Sequence, residues 1–115
     1  MKTMMRLKDG IPILEPHGKI VGPAVSELRE KLALELLDAS HTPCFLINFE
    51  HVHKIDSSGL GMLVNVHVIA AQMKSRIGII NVGRHIKSFL VLSRLMNIFE
   101  HFESEDAAIS ALTSD

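Results

Sequence analysis

The stretch "HKIDSSGLGML" (residues 53–63) contains the side chains of this chain that are best suited to chemistry. Two adjacent hydroxyls, Ser57 and Ser58, directly follow the carboxylate of Asp56. A serine in such a place can act as a nucleophile, can receive a modifying group, or can cap the start of a helix. The sequence around the pair has to distinguish these roles.

The surrounding sequence lacks the motifs of the common enzyme sites. A nucleophile elbow needs glycine two residues before and two residues after the serine, and Ser57 has Ile55 before it and Gly59 after it. No Gly-x-x-x-x-Gly-Lys-Ser/Thr loop is present, and "GLG" alone is too weak for a dinucleotide fingerprint, because no strand–Gly-x-Gly-x-x-Gly–helix unit surrounds it. We therefore expect no enzymatic activity and no cofactor.

The seven histidines suggest a metal site, but their spacing does not support one. His51 and His53 would face the same way in an extended segment, yet no matching third or fourth ligand follows at a standard spacing. His67 falls on the inward side of its predicted helix. The sequence therefore predicts solvated loop histidines, a histidine at the edge of the core, and no metal.

Ser57 is a strong candidate for a helix N-cap. A central strand and a loop at 50–55 precede it, and the sequence predicts a long helix over about 58–75 with Ser57 as its cap. Glycine inside a helix costs ~1 kcal/mol relative to alanine. Gly59 and Gly61 therefore indicate a gain elsewhere, either the close approach of another backbone or the exposure of the serine. The sequence leaves both explanations open.

The helical wheel of this segment predicts two apolar faces. Met62, Ile69 and Met73 form an apolar stripe on the face that also carries Asn65. Such a stripe marks a partner-binding surface, unless another helix of the same domain covers it. The face that should pack on the sheet contains Leu60, Leu63, Val64, Ala70 and Ala71.

Apolar runs alternate with longer periodic segments along the chain, and the predicted order is β-β-α-β-α-β-α-β-α. This order indicates one α/β domain over residues 1–115, with a mixed, mostly parallel sheet of about five strands packed with about four helices. Pro12, Pro16 and Gly18 suggest irregular or edge pairing over 12–21. Further strands are predicted at 44–49, 77–82 and 97–102, and further helices after Gly22-Pro23 to about residue 37, over 84–96, and from an N-cap at Ser104.

Bulk composition excludes several functional classes. The chain has 115 residues, a formal net charge of −1 and 47% hydrophobic residues, which is typical of a soluble domain and not of a nucleic-acid-binding or membrane-surface protein. The apolar segment 60–73 is too short to insert into a membrane. The lone Cys44 lies in an apolar run, where we expect a buried hydrophobe, and it suits the reducing cytoplasm.

The segment "INFEHVHKIDSSGLGMLV" (47–64) resembles the signature of STAS domains, the family of bacterial anti-sigma factor antagonists. The segment "GKIVGPAVSELREKL" (18–32) is similar to the family's second strand and first helix, and residues 77–112 are similar to its C-terminal half. The resemblance thus covers nearly the whole chain.

The resemblance implies a switch in signal transduction and transcription regulation. The serine directly after the aspartate, Ser57, would be phosphorylated by a serine kinase of the histidine-kinase-like ATPase type, which is also the anti-sigma factor. The unphosphorylated antagonist would bind that kinase and release the sigma factor, and a metal-dependent serine phosphatase would reset the switch. The expected partner-binding residues are Asp56, Ser58, Gly59, Gly61, Met62, Asn65, Ile69 and Gly22.

The chain departs from the family pattern at Asn48, where an aspartate is common, and at Lys54, where an apolar or aromatic residue is common. We expect both positions on the partner side, where they would influence which kinase is recognised.

The alternative function is a STAS subunit without a switch, in a signalling scaffold or an ABC lipid transporter. A phosphopantetheine carrier is disfavoured, because such carriers are all-helical and strongly acidic.

Overall fold

The computed structural model of the chain describes residues 2–38, 44–94 and 99–113. Within these ranges the chain forms six strands and four helices, one strand more than the sequence predicts, with two strands at the start and one helix at the end. The elements are β1 (Lys2–Lys8), β2 (Ile11–Ile20), α1 (Pro23–Asp38), β3 (Cys44–Asn48), β4 (Val52–Ile55), α2 (Ser57–Gln72), β5 (Arg76–Ile80), α3 (Arg84–Leu92), β6 (Glu100–Phe102) and α4 (Glu105–Thr113).

One mixed sheet organises the molecule. Its strands follow the order β1-β2-β3-β5-β6, and β4 pairs separately with the end of β2. β1 is antiparallel to β2, and the other pairs are parallel. The predicted α/β class and mostly parallel sheet are confirmed.

Two details of the predicted strands are wrong. The segment 50–55 is not a loop, because Val52–Ile55 forms β4 with both of its end residues buried. β2 is not an edge strand either, since it continues through Gly18 and pairs with β1, β3 and β4. Pro12 and Pro16 are an even number of residues apart, so the two positions at which β2 lacks an N–H donor face the same neighbouring strand. The hydrogen bonds on the other side of β2 are unaffected.

Both faces of the sheet are covered. Leu14, Phe45 and Ile47 point towards α1, α2 and α3, and Ile13 and Leu46 point towards α4. Every residue of β3 is buried, as expected for the central strand of a parallel sheet. Cys44 at its start is buried as predicted, and this burial raises the pKa of its thiol.

The C-terminal elements follow the prediction with small shifts of their ends. α3 ends at Leu92, before the predicted limit, and residues 95–98 of the predicted helix and strand lie outside the described residues. Ser104 caps α4 as predicted, because the Ala107 N–H donates to its Oγ at 3.1 Å. Over the described ranges, each helix is too short or too polar to cross a bilayer.

Candidate functional site

The start of α2 is built around Asp56. This residue leaves β4 in an extended conformation (φ −108°, ψ −176°), and its carboxylate accepts a hydrogen bond from the Gly59 N–H at 2.9 Å. Aspartate is as good an N-cap as serine. The predicted cap at Ser57 is therefore wrong by one residue, and Ser57 is instead the first residue of the helix.

The two serines differ in what holds their hydroxyls. Ser58 Oγ donates to Asp56 Oδ1 at 2.6 Å, so this hydroxyl is part of the capping arrangement. Ser57 is exposed, and among the described residues its hydroxyl has no hydrogen-bond partner. Ser57 therefore presents a hydroxyl that is free to react, and Ser58 does not.

The Asp56 carboxylate is ionised at neutral pH. The hydrogen bond from Ser58 and the backbone N–H of Gly59 hold its pKa below the usual range. A third, long donor is the N–H of Gly22, 3.4 Å from Oδ2. Gly22 has a positive φ of 55°, which favours glycine, and the structure thus brings this predicted partner-binding residue beside Asp56.

Gly59 and Gly61 serve different purposes. A Cβ at Gly59 would lie 2.6 Å from the carbonyl oxygen of Ile20 and 2.7 Å from Cγ1 of Ile55, so only glycine fits this approach of α2 to β2 and β4. A Cβ at Gly61 would meet no atom within 4 Å. Gly61 is exposed one turn after Ser57 on the same face of α2, and it leaves the space around that hydroxyl open. The two explanations that the sequence leaves open thus apply to one glycine each.

Two of the three residues of the apolar stripe predicted on α2 are covered within the domain, and the third, Met73, is 39% exposed. Met62 is only 4% exposed and belongs to the main core, and Ile69 is half-buried against the same core. α2 packs on α1 as well as on the sheet, so its buried arc is wider than the sheet-facing arc alone. Met62 and Ile69 are therefore not exposed partner-binding residues, and Ala71, which was predicted on the sheet-facing side, is exposed.

A different face of α2 is exposed. It begins at Ser57 and continues at spacings of three and four residues, and Asn65 lies on it as predicted. Val68 was missed from the sequence, although it is 46% exposed and its distance from Ser57 matches three helical turns. We call this surface the Ser57 face; it contains Ser57, Gly61, Asn65, Val68 and Gln72.

An apolar groove extends the site towards α3. It has a volume of about 290 Å³ and lies between Ile55, which directly precedes Asp56, and the side chains of Phe89 and Leu92. Leu92 is 82% exposed at the end of α3. An open neighbouring groove of about 440 Å³ adds the basic residues Arg84 and Lys87. This surface cannot be predicted from the sequence, because only the pairing of β4 with β2 brings Ile55 beside α3.

The two departures from the family pattern lie in different environments. Asn48 is buried, and its Oδ1 accepts from the Glu50 N–H at 3.0 Å and from Asn81 Nδ2 at 3.1 Å. It therefore holds the turn after β3 and does not line an exposed partner surface, contrary to expectation. Lys54 is exposed on β4.

The sequence profile of the STAS domain family matches residues 2–108 of the chain. No curated protein matches the sequence. An anti-sigma factor antagonist from Mycobacterium paratuberculosis has a similar structure, with a TM-score of 0.86 and 19% identity over 98% of this chain and 94% of that one.

Two further solved structures are similar. The Bacillus cell fate determinant SpoIIAA in its phosphorylated form matches with a TM-score of 0.71 and 18% identity, covering 96% of this chain and 98% of its own. A sulfate transporter family protein from Wolinella succinogenes matches with a TM-score of 0.75 and 16% identity, covering 93% of this chain and 88% of its own. At these identities the similarity establishes the fold, and this fold occurs in proteins of different roles.

Proposed function

The chain belongs to the STAS domain family, and from that premise we propose that it is an anti-sigma factor antagonist whose partner binding is switched by phosphorylation of Ser57. The observation that supports this most directly is the contrast between the free, exposed Ser57 hydroxyl and the Ser58 hydroxyl held by Asp56. A kinase that reaches the start of α2 meets one available acceptor.

The position of Ser57 suits an anion. The first turn of a helix carries unpaired N–H groups and the positive end of the helix dipole, which together favour a phosphate. Phosphorylation adds about −1.5 to −2 charges at pH 7. Because Ser57 is exposed and contributes nothing to the core, the domain can accept these charges without unfolding.

The same charges would block a partner. In our proposal the unphosphorylated partner surface consists of the Ser57 face and the adjoining groove of α3, with Gly61 allowing a close approach. A charge buried without compensation costs ~3–5 kcal/mol. At 1.4 kcal/mol per factor of ten, this weakens binding at least a hundredfold.

The proposed partners are a serine kinase of the histidine-kinase-like ATPase type, which is also the anti-sigma factor, and a metal-dependent serine phosphatase. The unphosphorylated chain would bind the kinase and release the sigma factor, and the phosphatase would restore this state. We expect the exchange to take place in the bacterial cytoplasm. The chain itself would catalyse no reaction.

The proposal is tested with the serine pair. Incubation with ATP and the cognate kinase should place one phosphate on Ser57, as mapped by mass spectrometry, and phosphorylation should abolish capture of the kinase in a pull-down. Ser57→Ala should bind the kinase constitutively and Ser57→Asp poorly, whereas the matched control Ser58→Ala should still be phosphorylated. Phosphate found only on Ser58 would contradict the assignment.

A second candidate is a STAS module without a switch that serves a transporter. The similarity to the sulfate transporter family protein favours it, because that protein has the same fold. This candidate predicts that Ser57→Ala and Ser57→Asp both retain the partner that co-purifies with the wild type. Transporter genes beside the coding gene would support it, and a gene for a histidine-kinase-like ATPase would support the switch.

A further inference from the structure

Three side chains with metal-binding atoms converge on the face of the sheet that α4 covers. Glu15 and His17 belong to β2, and His51 lies in the turn between β3 and β4. One ligand atom from each lies within 4.8 Å of the other two. We call Glu15, His17 and His51 the His–Glu cluster. Sequence spacing could not reveal it, because 34 positions separate His17 from His51.

The backbone holds the cluster in place. Glu15 and His17 are two residues apart on one strand, so their side chains leave the same face. The Gly18 N–H donates to the carbonyl of His51 at 2.9 Å, and Gly18 pairs with Val52 at the start of β4. These contacts fix the turn against β2 and bring the two imidazoles into a stack, with ring centroids 4.3 Å apart and planes 14° from parallel.

The cluster has unused ligand capacity. His17 Nε2 is buried, and no donor or acceptor among the described residues reaches it. A buried polar atom without a partner is costly, and a bound ion would satisfy it. Glu15 Oε1 accepts from Arg6 Nε at 2.6 Å, which leaves its second carboxylate oxygen for another ligand. Glu50 adds negative charge nearby, since its Oε2 lies 4.0 Å from His51 Nε2.

We propose that the His–Glu cluster binds a divalent transition metal ion of the Zn²⁺ type. Two imidazoles and one carboxylate are a ligand set of this class, and two nitrogens make it unsuitable for Mg²⁺ or Ca²⁺, which prefer oxygen. Zn²⁺ binds such atoms at about 2.0–2.2 Å, so ligand atoms in a tetrahedral site lie roughly 3.3 Å apart. To bind the same ion as His17, the 45% exposed His51 must rotate out of the stack, because an imidazole nitrogen binds a metal in the plane of its ring. Water completes the fourth position.

The ion would join β2 to the turn that precedes β4, and so stabilise the strand that directly precedes Asp56. The cluster is remote from Ser57. Glu15 and His17 alternate with Ile11 and Ile13 on the α4 side of the sheet, whereas α2 packs on the opposite side. β4 also separates the turn from α2 by four residues, or about 13 Å of extended chain. The proposal therefore does not depend on the switch at Ser57.

The test is calorimetric titration of ZnCl₂ into the full chain after removal of metal by a chelator. We expect one ion per chain and a higher melting temperature in the presence of Zn²⁺, because the ion binds the folded state. His51→Ala and Glu15→Gln should each weaken binding at least tenfold. The matched control is His53→Ala, which removes an exposed histidine of β4 outside the cluster and should bind like the wild type.

Circular dichroism of each variant without metal establishes whether the variant folds. A third variant, His17→Ala, removes a more buried side chain and is the one most at risk of not folding. If it does not fold, the test rests on His51→Ala, which removes a half-exposed side chain. Wild-type affinity in His51→Ala and Glu15→Gln would overturn the proposal. An equal loss in His53→Ala would also overturn it, since it would indicate adventitious binding to histidines. Ser57→Ala should bind Zn²⁺ normally, so the outcome is independent of kinase binding.

Discussion

At the scale of single residues, the environment of Asp56 separates two serines that are adjacent in sequence. The same carboxylate that accepts from the Gly59 N–H also engages Ser58 at 2.6 Å, and the Ser57 hydroxyl remains free at the surface. The difference follows from direction, because consecutive residues on a helix point about 100° apart. Chemical identity alone would not distinguish the two hydroxyls.

The two glycines of α2 provide a matched pair of substitutions. Gly59→Ala would force a Cβ to within 2.6 Å of the Ile20 carbonyl, a backbone atom that cannot move without shifting β2, and we expect a loss of about 1–3 kcal/mol in unfolding free energy. Gly61→Ala meets open space and should stabilise the domain by roughly 0.5–1 kcal/mol. Urea denaturation measures both. Equal effects of the same sign would contradict the assigned roles.

At the scale of elements, helices and strands are predicted best where the apolar pattern of a segment and the intrinsic propensities of its residues favour the same structure. β3 is apolar from Cys44 to Ile47, and Ser104 is followed by acidic residues, so the strand and the start of α4 are both predicted correctly. β4 was missed because only Val52 and Ile55 of its four residues are apolar, and its pairing with β2 depends on a distant segment.

The functional site was predicted only in part, for similar reasons. Gly22 lies beside Asp56, which directly precedes Ser57, and Asn65 is exposed on α2, as the helical wheel predicts. Met62 was assigned to the wrong surface, because a helical wheel does not reveal that α1 covers the second side of α2. The contact between helices distant in sequence decides which side chains remain exposed.

The start of α2 gives a prediction at this scale. Asp56→Ala removes the acceptor of the Gly59 N–H and releases the Ser58 hydroxyl, so we expect a melting temperature lower by several degrees. Asp56→Asn retains a capping oxygen without the charge and should remain close to the wild type. With Ser58 released, Asp56→Ala should also accept some phosphate at Ser58. Thermal unfolding and phosphosite mapping measure these effects, and an unchanged melting temperature in Asp56→Ala would contradict the role of the cap.

At the scale of the whole molecule, the sheet separates two regions. The proposed switch lies at the start of α2, which packs with α1 on one face, whereas α4 and the His–Glu cluster belong to the other. An ion-pair network closes the second face, because Arg6 contacts both Glu15 and Glu105, and Lys8 contacts Glu105 and Asp106. It joins the N-terminal edge strand to the last helix. A metal ion at Glu15 would therefore lie next to this network, while the Ser57 face would be unaffected.

This network predicts how stability depends on pH. The hydrogen bond from Arg6, with a smaller contribution from Lys8, holds the pKa of Glu105 below its usual value, so the unfolded chain binds this proton more readily than the folded one. The contribution of Glu105 to the free energy of unfolding is therefore complete above about pH 4.5, and it is lost as the pH falls through the lower pKa of the folded state.

Glu105→Gln should lower the free energy of unfolding by about 0.5–1 kcal/mol at pH 7, and by less in high salt because the pairs are partly exposed. Its difference from the wild type should shrink as the pH falls below about 4.5, because the unfolded wild type takes up a proton at Glu105 more readily than the folded one. Asp106→Asn is the control, since Asp106 is 89% exposed and its change should stay below about 0.5 kcal/mol. Urea denaturation at pH 7 and pH 3 measures these differences, and a Glu105→Gln effect that grows on acidification would show that the network does not stabilise the fold through this charge.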